Sequence, residues 1–152
     1  MHKLERILLA TDFSEASLHA LAYAISLARS MKSKLILMYV VNQKMFSEGL
    51  SFARVSSPEA LGKEMADEAR RRLKALVPEK ERNGLDWETN VRSGNPAQQV
   101  IRYAKENGVD LIVIGTTGHS GVDRMVFGST AEKVVRGAHC SVLTVRPPAT
   151  DS

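Results

Sequence analysis

The chain is poor in the residues that hold small domains together covalently or through metals. It has one cysteine, Cys140, in 152 residues, so no disulfide can form within it and no cysteine-based zinc cluster can be built. Such usage suits a reducing compartment. Aromatic residues make up only 5%, and neither an aromatic platform nor a recognition motif for nucleic acid is found. No run approaches the roughly 18 apolar residues of a membrane-spanning helix. The opening segment, Met1 to Ala10, carries Lys3 and Arg6 and then an apolar run shorter than that of a signal peptide. A cytoplasmic protein without membrane or nucleic-acid partners is therefore expected. No two of the four histidines have metal-ligand spacing. Two phosphate motifs are missing as well, G-x-x-x-x-G-K-[ST] and a G-x-G-x-x-G after the first strand. The Ser-Gly-Gly loop of ATP-pyrophosphatases is also absent. The usual NTPase and dinucleotide readings lose support.

What is present fits one soluble domain. A chain of 152 residues can bury roughly 70% of its unfolded surface. Residues 1–147 read as that domain and 148–152 as a frayed tail. The formal charge is +4, and Lys and Arg are scattered. The run Arg70–Arg72 sits among Glu64, Asp67 and Glu68, as on a solvated helix face. A mild positive balance favours an anionic ligand.

Hydrophobic patterning orders the chain. Ile7–Ala10, Lys34–Val41, Leu111–Ile114 and Ser141–Val145 read as strands, most of them largely apolar and so buried on both faces. Trp87–Arg92 alternates and reads as a strand near an edge. Between them, helical spacing predicts helices over 15–31, with Ser14 as N-cap and Leu18, Leu21, Ala22, Ile25 and Ala28 on the apolar face. Further helices are predicted over 58–76, behind Ser57-Pro58, and from Asn95-Pro96 to the Asn107-Gly108 stop. The last is predicted over 129–136. Residues 42–57 read as a loop. Alternating strands and helices imply a doubly wound α/β domain, a five-stranded parallel sheet in the order 3-2-1-4-5 with helices on both faces. Ligands in such sheets bind at the carboxyl ends of the strands where the order reverses, here at Ala10-Thr11-Asp12 and Gly115.

The informative segment is Gly115-Thr116-Thr117-Gly118, nine residues from His119 to Phe127, and Gly128-Ser129-Thr130. Gly115 ends a strand, where a missing side chain lets a ligand lie against the backbone or simply closes the strand. Gly128 precedes a helix whose unpaired N–H groups suit phosphate. Ser129 and Thr130 either add hydroxyl donors or cap that helix. His119 and Arg124 read equally as phosphate contacts or as solvated loop charges. Asp12 reads as a ligand contact or a turn residue, and Cys140 as a small apolar residue beside a strand.

The spacing G-x-x-G-x9-G-[ST], met at Gly115, Gly118, Gly128 and Ser129, resembles the ATP-binding signature of the universal stress protein family. So do Ile7-Leu8-Leu9-Ala10-Thr11-Asp12-Phe13-Ser14, Ser93-Gly94-Asn95-Pro96, Asp110–Gly115 and Cys140–Val145. The resemblance spans nearly the whole chain. It implies a fold like that of the adenine nucleotide alpha hydrolases, a homodimer, and ATP with Mg²⁺ as ligand; the C-terminal strand, Ser141–Val145, is the expected dimer contact because an unpaired edge invites strand addition. Carried over by position, Ala10, Thr11 and Asp12 edge the adenosine, and Val40 meets adenine through its backbone. Gly115, Thr116, Thr117, Gly118, His119, Ser120 and Gly121 wrap the ribose and phosphates. Ser129, Thr130 and Ala131, behind Gly128, hold the terminal phosphates. Three functions follow as expectations: an ATP-binding regulatory module of the stress response, a slow ATPase, and a nucleotide-independent dimeric interaction protein. No catalytic residue or protein metal ligand is assigned.

Overall fold

The computed structural model describes residues 3–42, 58–117 and 127–148. In chain order the elements are β1 (Arg6–Ala10), α1 (Glu15–Met31), β2 (Lys34–Asn42), α2 (Pro58–Leu76), α3 (Glu79–Arg82), β3 (Trp87–Gly94), α4 (Pro96–Glu106), β4 (Leu111–Gly115), α5 (Ser129–Gly137) and β5 (Ser141–Val145). The strands form one parallel sheet in the order β3-β2-β1-β4-β5. Fold class and strand order agree with the sequence reading. The four-residue α3 was not anticipated. No described helix is long and apolar enough to cross a membrane.

Side chains of a strand alternate between faces, and that explains the uninterrupted apolar runs. In β1, Ile7 and Leu9 enter one core with α1 and α2, while Leu8 and Ala10 enter the other with α4 and α5. Leu35 and Leu37 of β2 share the first core with Leu73 and Val113; Ile36 and Met38 share the second with Val100 and Ile112. Ile7, Leu8, Leu9, Leu35, Ile36 and Leu37 are all fully buried. Truncating any of these leucines or isoleucines to alanine would cost about 2–5 kcal/mol, from lost transfer energy and the cavity left behind.

Helix α1 departs from the expected face. Its buried residues are Ala16, Ser17, Ala20, Leu21, Ala24, Ile25 and Ala28, whereas Leu18 is 42% exposed and Ala22 lies in solvent. The reason is close approach. A Cβ built on Gly115 would lie 3.1 Å from the carbonyl carbon of Ala16 and 3.2 Å from its oxygen. The helix sits so near β4 that small side chains and a glycine form the contact, and the larger Leu18 turns outward. Gly115 is thus required first by packing against α1; its bare face does not point into a ligand site.

Gly115→Ala should therefore act on stability before it acts on any ligand. Pressing a methyl group against backbone atoms costs about 1–3 kcal/mol, or roughly 2–12 °C of Tm at this chain length. Thermal unfolding of the ligand-free variant checks it, and an unchanged Tm would show that α1 can move away freely.

Candidate functional site

The site grows out of unequal strand lengths. Ala10, the last β1 residue in register, lies between Met38 of β2 and Ile114 of β4. Thr11 N–H then donates to the Met38 carbonyl at 3.0 Å, and the chain leaves for α1. Strand β2 runs on beside β3, with Val40 opposite Arg92 and Asn42 opposite Gly94. By the two-residue repeat of a strand, the backbone N–H and C=O of Val40 face the side that β1 has vacated. A cleft opens there. Its walls are Ala10 at the end of β1, Thr11 and Asp12 just after it, Ser17 from α1, Met38, Tyr39 and Val40 from β2, and Pro96 and Val100 from α4. Ile114, Gly115, Thr116 and Thr117 close it on the β4 side, with Gly128, Thr130 and Ala131 at the start of α5. The cavity measures about 100 Å³, several times the roughly 10–15 Å³ that one water needs.

Between β1 and α1 the chain makes a tight, internally bonded turn. Phe13 has φ 65°, a left-handed conformation that costs a non-glycine residue about 1–2 kcal/mol. Contacts on the far face of the sheet offset that cost. The Phe13 ring stacks on Tyr39 with centroids 4.8 Å apart and lies under the Arg72 guanidinium at 3.9 Å. Locally, Asp12 Oδ1 accepts from Ser14 N–H at 2.9 Å, and Thr11 Oγ1 accepts from Phe13 N–H at 3.0 Å. Ser14 Oγ caps α1 by accepting from Ser17 N–H at 3.3 Å. Asp12 is the only carboxylate among the described residues lining the cleft. Burial pushes the Tyr39 phenol up; Arg72 lowers it and Asp12 raises it further.

On the opposite wall the end of β4 is tied to the start of α5. Thr116 N–H donates to the Val145 carbonyl at 2.9 Å, and Gly128 N–H donates to the Thr116 carbonyl at 2.6 Å. The Thr116 side chain is another matter. The residue is 4% exposed, and its Oγ1 is buried without a hydrogen-bond partner among the described residues. Leaving a buried hydroxyl unpaired costs about 1–3 kcal/mol. Helix α5 also differs from its neighbours at its N-terminus. Ser14 caps α1 and Asn95 Oδ1 caps α4, but the N-cap of α5 is Gly128, with no side-chain cap bond. The first-turn amides of α5, at Thr130 and Ala131 beside the cleft, keep the anion-attracting character of an open helix start.

The sequence profile of the universal stress protein family matches residues 3–146. The chain belongs to the universal stress protein family. Universal stress protein MJ0531 of Methanocaldococcus jannaschii is 33% identical over 144 residues, covering 95% of this chain and 83% of its own. Universal stress protein YxiE of Bacillus subtilis is 34% identical over 145 residues, covering 93% and 98%. Among solved structures, MJ0577, also of M. jannaschii, superposes with a TM-score of 0.83 over 98% of this chain and 100% of its own, at 23% identity. A universal stress protein in complex with cAMP superposes with a TM-score of 0.63 over 97% and 100%, at 25% identity.

Within this universal stress protein fold, Ala10, Thr11, Asp12, Val40, Gly115, Thr116, Thr117, Gly128, Thr130 and Ala131 meet at one cleft. Ser129 does not line it. It is the first residue of α5 and exposed, and the cap is Gly128, so the expected serine cap is replaced by a glycine. Gly118, His119, Ser120, Gly121 and Arg124 lie outside the described residues. Sequence reasoning missed Ser17, Met38, Tyr39, Pro96, Val100 and Ile114. Parity was the usable signal for two of them: Met38 shares a strand face with Val40, and Ile114 shares one with Ala10. Nothing in the sequence marked Ser17 apart from other helix residues. Cys140 is half-buried, and burial pushes its thiol up, with Asp110 adding to the shift, in keeping with a packing role.

Replacing Thr116 by valine removes the unpaired hydroxyl at nearly constant volume. Thr116→Val should raise the Tm of the ligand-free protein by about 2–4 °C, equivalent to about 1 kcal/mol. A calorimetric scan measures it; a lower Tm would mean that the hydroxyl is bonded after all.

Proposed function

We propose that this universal stress protein binds an adenine nucleotide, ATP with Mg²⁺, in the cleft, and acts in the cytoplasm as a nucleotide-dependent regulatory module of the stress response. The observation that carries the reading is the pairing of a buried hydroxyl without a partner among the described residues, Thr116 Oγ1, with a first turn of α5 that has no side-chain cap bond, at one end of a cleft on the switch point of the sheet. Both supply unused donors, and an anionic ligand uses both. At the other end, the backbone of Val40 offers one donor and one acceptor to the edge of a base. The cAMP complex of a solved relative supports an adenine nucleotide as the ligand class. Magnesium fits an oxygen-lined site held mostly by phosphate, with Asp12 reaching it through water. When bound, the nucleotide supplies negative charge and sugar hydroxyls; the chain's residues hold and orient it.

Rapid hydrolysis is disfavoured. Phosphoryl transfer needs charge stabilisation and a positioned water. Among the described cleft residues there is no lysine or arginine, and Asp12 already accepts a hydrogen bond from Ser14 N–H. We further propose a homodimer through β5, whose outer edge has no partner among the described strands and so can take a second strand.

Titration calorimetry with ATP, ADP, AMP and cAMP tests the reading. Saturable binding of ATP is expected, with phosphate release far below one turnover per second. Thr130→Asp gives a sharper test. A carboxylate in the first turn favours the helix, so Tm should not fall, yet it repels phosphate and should weaken ATP binding by more than about tenfold. Unaltered affinity in the folded variant would remove the phosphate from the α5 end.

A further inference from the structure

Two hydroxyls at the floor of the cleft have their protons fixed by their neighbours. Ser17 Oγ lies 2.9 Å from the Ser14 carbonyl oxygen. A carbonyl can only accept, so the single Ser17 proton points there. Ser17 Oγ also lies 2.8 Å from Thr11 Oγ1. With its own proton committed, Ser17 must accept, and Thr11 must donate. Thr11 Oγ1 in turn accepts from Phe13 N–H at 3.0 Å. Each hydroxyl is left with one free lone pair and no free proton. Both residues are buried, at 7% and 4% exposure, and both line the cleft.

The strand order decides what meets them. Strand β1 lies between β2 and β4. A nucleotide stretched from the Val40 backbone on β2 to the start of α5 beyond β4 crosses the end of β1 at its middle, and the middle of a nucleotide is its sugar. Resting on the nucleotide reading above, we propose that Ser17 is a positioning residue that holds Thr11 Oγ1 as a hydrogen-bond acceptor, so that the end of β1 takes a sugar hydroxyl and discriminates ribonucleotides from their deoxy counterparts. Without the Ser17 acceptor, the Thr11 proton is free to swing toward the cleft and oppose a donating hydroxyl.

The test is calorimetric titration of the full chain with ATP, 2′-deoxy-ATP and 3′-deoxy-ATP. The wild type should lose about 3- to 10-fold in affinity for the analogue lacking the contacted hydroxyl, the worth of one neutral hydrogen bond. That ratio should fall to near unity in Thr11→Val, stay in Thr11→Ser, and drop by at least about half in Ser17→Ala. Thermal unfolding establishes that each variant is folded; should Ser17→Ala fail to fold, the contrast between Thr11→Val and Thr11→Ser decides. Equal wild-type affinity for all three nucleotides overturns the inference and leaves nucleotide binding standing. A full wild-type ratio in folded Ser17→Ala overturns the role of Ser17. Absence of ATP binding overturns both readings.

Discussion

The cleft exists because the connections after β1 and β4 leave the sheet on opposite faces. From β1 the chain passes to α1, which packs with α2 against Ile7 and Leu9. From β4 it comes back as α5, which packs with α4 against Leu8 and Ala10. Right-handed crossovers in a parallel sheet therefore draw the two exits apart, and a cleft opens between them among the described residues. Everything proposed about function depends on that gap. Its floor is the end of β1, its far wall is the overhang of β2 and β3, and its near wall is the junction of β4 with α5.

Polar groups around the gap divide into two chemical kinds. On the β1 side, the hydroxyls of Thr11 and Ser17 and the carboxylate of Asp12 are drawn into bonds within the turn. That side is assembled before any ligand arrives, and a strained Phe13, held by Tyr39 and Arg72, keeps it in place. On the β4 side, the Thr116 hydroxyl and the first-turn amides of α5 have no side-chain partner among the described residues. A finished wall orients a ligand, and an unfinished one supplies the free energy to hold it. This asymmetry suits retention of a nucleotide better than fast turnover, since no side chain among the described residues stands ready to activate water.

Gly115 illustrates how one residue can satisfy two constraints that look alike in the sequence. It ends β4 and borders the cleft through its backbone, as a ligand-binding glycine would. Its missing side chain, however, is demanded by Ala16 on the other face. The two demands are separable only in three dimensions, because they act on opposite sides of the same strand.

The strand runs, the helix starts at Ser14 and Asn95, the strand order and most of the cleft residues were legible in the sequence. Those features depend on local periodicity, on capping chemistry and on the handedness of crossovers, and all of these are written in short windows. The inward face of α1 was not legible, since it is set by how close the helix lies to β4 and not by which of its residues are most apolar. Nor was the glycine cap of α5, or the orphaned Thr116 hydroxyl. Ser17 was invisible for the same reason: its proton is directed by the N-cap carbonyl of Ser14 and its acceptor role by a threonine in the turn after β1. The sequence by itself determined which residues come to the mouth of the sheet. Only the tertiary structure decided which of their polar groups are already used and which remain free, because hydrogen-bond satisfaction belongs to neighbours in space and not in the chain.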